Sequence, residues 1–117
     1  MEYPIEESPA RRKFRENCGI TELVKVDAKK FKEKWEKDHS DTLPWNTKRL
    51  ANLRELVSDG TSINAYPEVG VYPDGKLSVG DGRHRITHAA ELGKNIMVAA
   101  YPEDAAELKQ QVGANND

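Results

Sequence analysis

The sequence predicts a small α+β domain, a mixed sheet of short strands packed with about four helices, on three observations. Runs with apolar residues at helical spacing (Ala28, Phe31, Trp35, then Leu50, Leu53, Leu56, Val57) are interleaved with short extended runs rich in Val and Ile. The segment Gly80-Asp81-Gly82-Arg83-His84-Arg85 separates an extended run from a helical one and reads as strand, tight polar turn, helix. With 117 residues, 37% hydrophobic and 32% charged, the chain carries enough apolar material for one core and not two.

Residues 1–19 are the least core-like part. Pro4, Pro9 and mixed charge with few apolar positions predict a charged N-terminal arm whose order needs docking onto the domain or a partner. Arg11, Arg12, Lys13 and Arg15 make it basic enough to contact phosphates, nucleic acid or a protein partner; the plainer reading is a solvated segment with Phe14 packed down. The domain proper is expected over 20–113, with 114–117 a disordered tail.

Ile20 to Val26 alternates imperfectly and reads as the first strand, followed by Asp27 as the N-cap of an amphipathic helix over Ala28 to His39. Lys29 with Glu33 and Glu33 with Lys37 are spaced to pair on its outer face. Pro44 breaks the chain, Asn46 or Thr47 caps the next helix, and Gly60 stops it, with Leu50, Leu53, Leu56 and Val57 as its buried face. Ala65 to Tyr72 and Lys76 to Val79 are extended and joined by the tight-turn chemistry of Pro73-Asp74-Gly75. Ile86, Ala89 and Ala90 face inward on the helix that Gly93 ends, Ile96 to Ala100 is a short apolar strand, and Pro102 opens a last helix with Leu108 and Val112 inside and Gly113 at its end.

Composition excludes several classes. Net charge is −2 and pI about 5.9, so no whole-chain basic field points to nucleic acid. Cys18 is the one cysteine, which rules out an internal disulfide and a cysteine-based zinc cage. No apolar run is long enough to span a bilayer and the N-terminus lacks a secretory pattern, so the expectation is no membrane and a cytoplasmic location.

The chemistry concentrates at Gly80 to Arg85. Two glycines allow close approach of a ligand, a helix starting there directs free N–H groups outward, and Arg83 and Arg85 can clamp phosphate oxygens bidentately. The competing reading is that Asp81 pairs with Arg83 or Arg85 and caps the helix. His84 and His88 are spaced i, i+4 as two metal ligands are, with His39 or Glu91 as a third, although nothing in the spacing demands a metal. Trp35 and Trp45 read as core or rim residues rather than base-stacking platforms.

Gly-Asp-Gly-Arg-His-Arg followed by Ile-Thr-His-Ala-Ala-Glu-Leu-Gly resembles the signature turn and helix of the ParB/sulfiredoxin superfamily, and Pro67-Glu68-Val69 resembles its Pro-x-x-Val strand. The resemblance extends over about Ile20 to Tyr101 by pattern. It implies that Gly80, Gly82, Arg83, His84 and Arg85, with Lys48 and Arg49 on the preceding helix, bind the phosphates of ATP or CTP with Mg2+. It further implies phosphoryl transfer or hydrolysis, nuclease cleavage included, with His84, Asp81 and Glu68 as catalytic candidates and Asp81 on the metal; Asp27 is a weaker carboxylate candidate, read more simply as a cap. Two departures narrow it. Arg83 stands where sulfiredoxins carry their reactive cysteine, so sulfinic-acid reduction is not expected. Nor is there room for the helix-turn-helix and dimerisation domains of partition proteins. The alternative is a non-catalytic nucleotide- or DNA-backbone-binding module, or a protein-interaction domain.

Overall fold

In the computed structural model of the chain, which describes residues 2–114, the expected α+β architecture is present as one mixed four-stranded sheet and five helices. In chain order these are α1 (Pro9–Asn17), β1 (Glu22–Asp27), α2 (Ala28–His39), α3 (Thr47–Ser58), β2 (Glu68–Val71), β3 (Leu77–Asp81), α4 (Arg83–Glu91), β4 (Asn95–Ala100) and α5 (Pro102–Val112). The sheet order is β1-β4-β2-β3. β4 runs antiparallel to β1 from Glu22 opposite Ala100 to Asp27 opposite Asn95, and parallel to β2, which forms the antiparallel hairpin with β3.

Local signals explain most boundaries. Asp27 Oδ1 accepts the N–H groups of Lys29 and Lys30 at 3.0 and 3.1 Å, so its carboxylate is the cap of α2. Asn46 does the same for α3 through Arg49 N–H at 3.0 Å. In the hairpin, Gly75 N–H donates to Tyr72 O at 2.8 Å with φ +88°, a backbone shape that glycine adopts without strain. The outer-face pairs of α2 are Lys32 with Glu36 and Lys34 with Asp38, not the Lys29, Glu33 and Lys37 set expected from spacing.

The core forms where α2 packs on α4 and against the sheet, while α5 covers β1 and β2. Phe31, Leu43, Leu77, Ile86, Ile96, Val98 and Leu108 are fully buried in it. α3 packs on α4 through Leu50 and Leu53, but Leu56, expected inside, is 47% exposed.

Of the two ways in which the N-terminal segment was expected to gain order, docking onto the domain is the one observed. Residues 2–19 are not a free arm: Tyr3 is buried, its N–H donates to Asn95 O at 2.8 Å, and its hydroxyl meets His88 Nδ1 at 2.9 Å. Glu6 N–H donates to Ile63 O at 2.8 Å, and Ser8 caps α1 through Arg11 N–H. One aromatic side chain and a few backbone pairings suffice to dock a segment whose composition looks solvated. The tail expected over 114–117 lies, from residue 115 on, outside the described residues.

Candidate functional site

The expected turn over Gly80 to Arg85 contracts to a single residue. β3 continues through Gly80 and Asp81, Gly82 alone makes the bend with φ +106°, and α4 begins at Arg83 with no side chain capping it. A Cβ on Gly82 would sit 2.5 Å from Pro67 Cβ and 2.7 Å from Pro67 Cα, so both the left-handed backbone and the close approach of the Pro67 segment demand glycine.

This junction and α3 enclose a cleft of about 350 Å³. Arg49 and Asn52 of α3 line it from one side, Asp81, Gly82, His84 and Arg85 from the other, and Leu53, Leu56 and Ile63 form an apolar wall. The exposure of Leu56 is thereby explained: it faces the cleft and not the core.

Arg85 is held at the wall of this cleft with 12% of its side chain exposed. Its Nη2 pairs with Asp81 Oδ2 at 3.1 Å, and its Nη1 donates to Ala65 O. Burial lowers its pKa and the Asp81 carboxylate opposes that shift, which leaves a guanidinium charged at any physiological pH. Asp81 is 63% exposed and makes no cap bond, so half of the competing reading is realised: the Asp81–Arg85 pair exists, the cap does not.

His84 is partly buried and its Nε2 atom is buried with no hydrogen-bond partner among the described residues. Desolvation pushes its pKa below the ordinary imidazole value, and the charges of Arg49, Arg83 and Arg85 push the same way. The site therefore holds a neutral imidazole within the field of three arginines, with one exposed carboxylate in the cleft to balance them.

Other expected site residues lie elsewhere. Arg83 turns away from the cleft: its guanidinium carbon is 4.7 Å from the Trp35 ring centroid and 5.9 Å from that of Trp45. Lys48 is exposed on α3 and does not line the cleft. Glu68 is the Cα partner of Asp81 across the hairpin, yet it lines two other hollows, one with Arg11 and Arg15 and one with Asp104. Gly80 shares the Asp104 hollow, outside the cleft, with ordinary backbone. A strand displays successive residues on opposite faces, which separates Gly80 from Asp81 beside it in sequence, while the hairpin register is irregular between Glu68 and Val69.

The two-histidine metal reading does not fit the side chains. His88 is buried against Tyr3, His39 Nε2 donates to Leu77 O at 2.6 Å, and Glu91 accepts from Arg54 Nε at 3.0 Å. Among the described residues no group of three or more His, Cys, Asp or Glu side chains is placed to hold a metal. Magnesium is a different case, since it takes one or two carboxylates plus phosphate oxygens and keeps its waters. Asp81 fits such a phosphate-borne ion and no all-protein cage.

Two of the four N-terminal cations, Arg12 and Arg15, are committed to ion pairs. Arg15 is clamped by Glu7 at 2.9 and 3.0 Å and donates to Ile20 O at 2.7 Å; Arg12 pairs with Glu16 at 3.3 Å. Arg11 stays exposed, close enough for its charge to act on Arg85. Sequence reasoning missed Asn52, Leu56 and Ile63, whose part in the site has no signature beyond their position in space.

No protein-family model, no curated protein and no solved structure matches the chain.

Proposed function

We propose that the cleft between α3 and the start of α4 binds the phosphate groups of a nucleotide. The observation that carries this reading is the convergence of Arg49, His84, Arg85 and the uncapped start of α4 on one cleft whose sole carboxylate is exposed. Excess cationic field with free N–H groups is the complement of a polyphosphate. An entering phosphate takes over from Asp81 as partner of Arg85 and draws in Arg49 from the rim.

Phosphoryl transfer or hydrolysis is the catalytic extension of this reading. Magnesium carried in with a triphosphate would supply charge neutralisation, and Asp81 is the carboxylate that would hold it. His84, whose pKa burial depresses, is the proton-exchanging candidate of this scheme. Glu68 has no part in this scheme because it lies outside the cleft. A binding module without turnover is favoured by one specific observation: the single carboxylate in the cleft is already tied to Arg85.

The test is calorimetric titration of ATP, CTP and GTP, each with and without magnesium, into the wild type and Arg49→Ala. Arg49 is exposed, so its removal leaves the fold intact. Saturable binding that weakens about tenfold or more in the variant is expected, from the loss of a charge-assisted bond. No binding of any nucleotide, or equal affinity in both proteins, would overturn the assignment.

A further inference from the structure

We infer that Trp45 is the nucleobase platform of this cleft, the ring of a purine or pyrimidine nucleotide stacking on its exposed indole. The inference rests on the phosphate reading above and extends it from the phosphates to the base. Trp45 is 69% exposed, whereas Trp35 is 4% exposed in the core. An indole left in water presents a large apolar face that a folded chain ordinarily covers. Its position links it to the cleft. The Trp45 ring lies with its centroid 6.4 Å from that of His84, tilted by 47°, and His84 lines the cleft. Trp45 thus stands beside the imidazole that lines the cleft.

The indole is also held in place before any ligand arrives. Leu43, two residues earlier, is fully buried, Asn46, the next residue, caps α3, and the Arg83 guanidinium lies over both the exposed Trp45 ring and the buried Trp35 ring, at 5.9 and 4.7 Å from their centroids. This gives Arg83 a role in place of phosphate binding: it positions the platform. An aromatic held in advance loses little freedom on stacking. Stacking reads no base edge, so the platform accepts all bases and ranks them by ring size, purines ahead of pyrimidines.

Titration of tripolyphosphate, ATP and CTP into the wild type, Trp45→Ala and Trp45→Phe tests this, with thermal melts to verify folding. ATP is expected to bind the wild type about tenfold more tightly than tripolyphosphate, a margin that Trp45→Ala abolishes and Trp45→Phe largely retains. Tripolyphosphate affinity should change less than about twofold in either variant, since the anion has no ring to stack. Equal affinity of ATP and tripolyphosphate for the wild type, or an equal loss for both ligands in Trp45→Ala, would overturn the platform while leaving the phosphate site standing. Failure of tripolyphosphate and ATP alike to bind would remove the phosphate site and the platform with it. A 5′-phosphorylated oligothymidylate in a parallel arm separates a free nucleotide from the end of a single strand; tighter, Trp45-dependent binding of the oligonucleotide would overturn the mononucleotide assignment.

Discussion

Arg15 and Arg85 are both arginines on short helices, with 7% and 12% of their side chains exposed, and they do opposite things. Arg15 meets a carboxylate as hidden as itself: Glu7 is 8% exposed and accepts from two guanidinium nitrogens. Arg85 meets Asp81, 63% exposed, through one nitrogen only. The first pair is closed and locks α1 onto the chain just before it. The second is open at the mouth of a cleft, where an incoming anion can replace the carboxylate. What an arginine does is decided by the acidic partner that the fold brings to it, and a run of basic residues in the sequence says little about that.

The largest expected effect comes from closing the cleft junction itself. Gly82→Ala adds both a strained positive φ and a collision with Pro67, and should destabilise by about 4 kcal/mol, seen as a shift of the urea midpoint. A change below about 1 kcal/mol would mean that the β3–α4 bend is not the one described. Next comes the closed pair. Arg15→Ala leaves Glu7 without its partner and should cost about 3 kcal/mol, the low end for a buried pair because both groups lie just beneath the surface, lowering Tm by about 10 °C. Arg12→Ala, which breaks an exposed pair on the same helix, should change stability by less than about 0.5 kcal/mol. Equal effects of the two would erase the distinction between closed and solvated arginines in α1.

A smaller effect is expected from pH. Burial depresses the pKa values of His84 and His88 in the folded chain. The unfolded chain therefore binds more protons just below the ordinary imidazole pKa, so stability falls as pH drops through that value toward the folded pKa values, and it is fully present above the unfolded one. Thermal melts should show Tm falling in this window, before carboxylates begin to protonate. His88→Phe should reduce the slope without removing it, because His84 remains.

Parts of the molecule governed by local rules were legible in the sequence. The bounds of α2 followed from Asp27 as a cap and the spacing of Ala28, Phe31 and Trp35, and α5 followed from Pro102 and the Leu108 and Val112 positions. Parts governed by distant partners were not. Tyr3 finds its bonds at Asn95 and His88, so nothing in residues 1–19 alone reveals that they are docked. Gly82 was visible as a bend, but its reason, the contact with Pro67, was not. At the site, Asp81, His84 and Arg85 share one cleft because a glycine bend followed by a helix places its first residues together, and Arg49 reaches the same cleft from α3. Arg83 and Gly80 do not line the cleft because helix phase and strand parity send adjacent residues in different directions, and Glu68 lies at a register irregularity of the hairpin.

The central claim is that anions enter at His84 and not merely somewhere on a charged surface, and α4 carries its own control. Histidine ring resonances followed by NMR across pH, with and without saturating ATP and magnesium, report His84 and His88 separately. A phosphate in the cleft should offset the arginine field and raise the His84 pKa, while His88, bonded to Tyr3, keeps its value. Equal movement of both histidines, or of neither at a ligand concentration that saturates binding, would contradict the placement of the phosphate site.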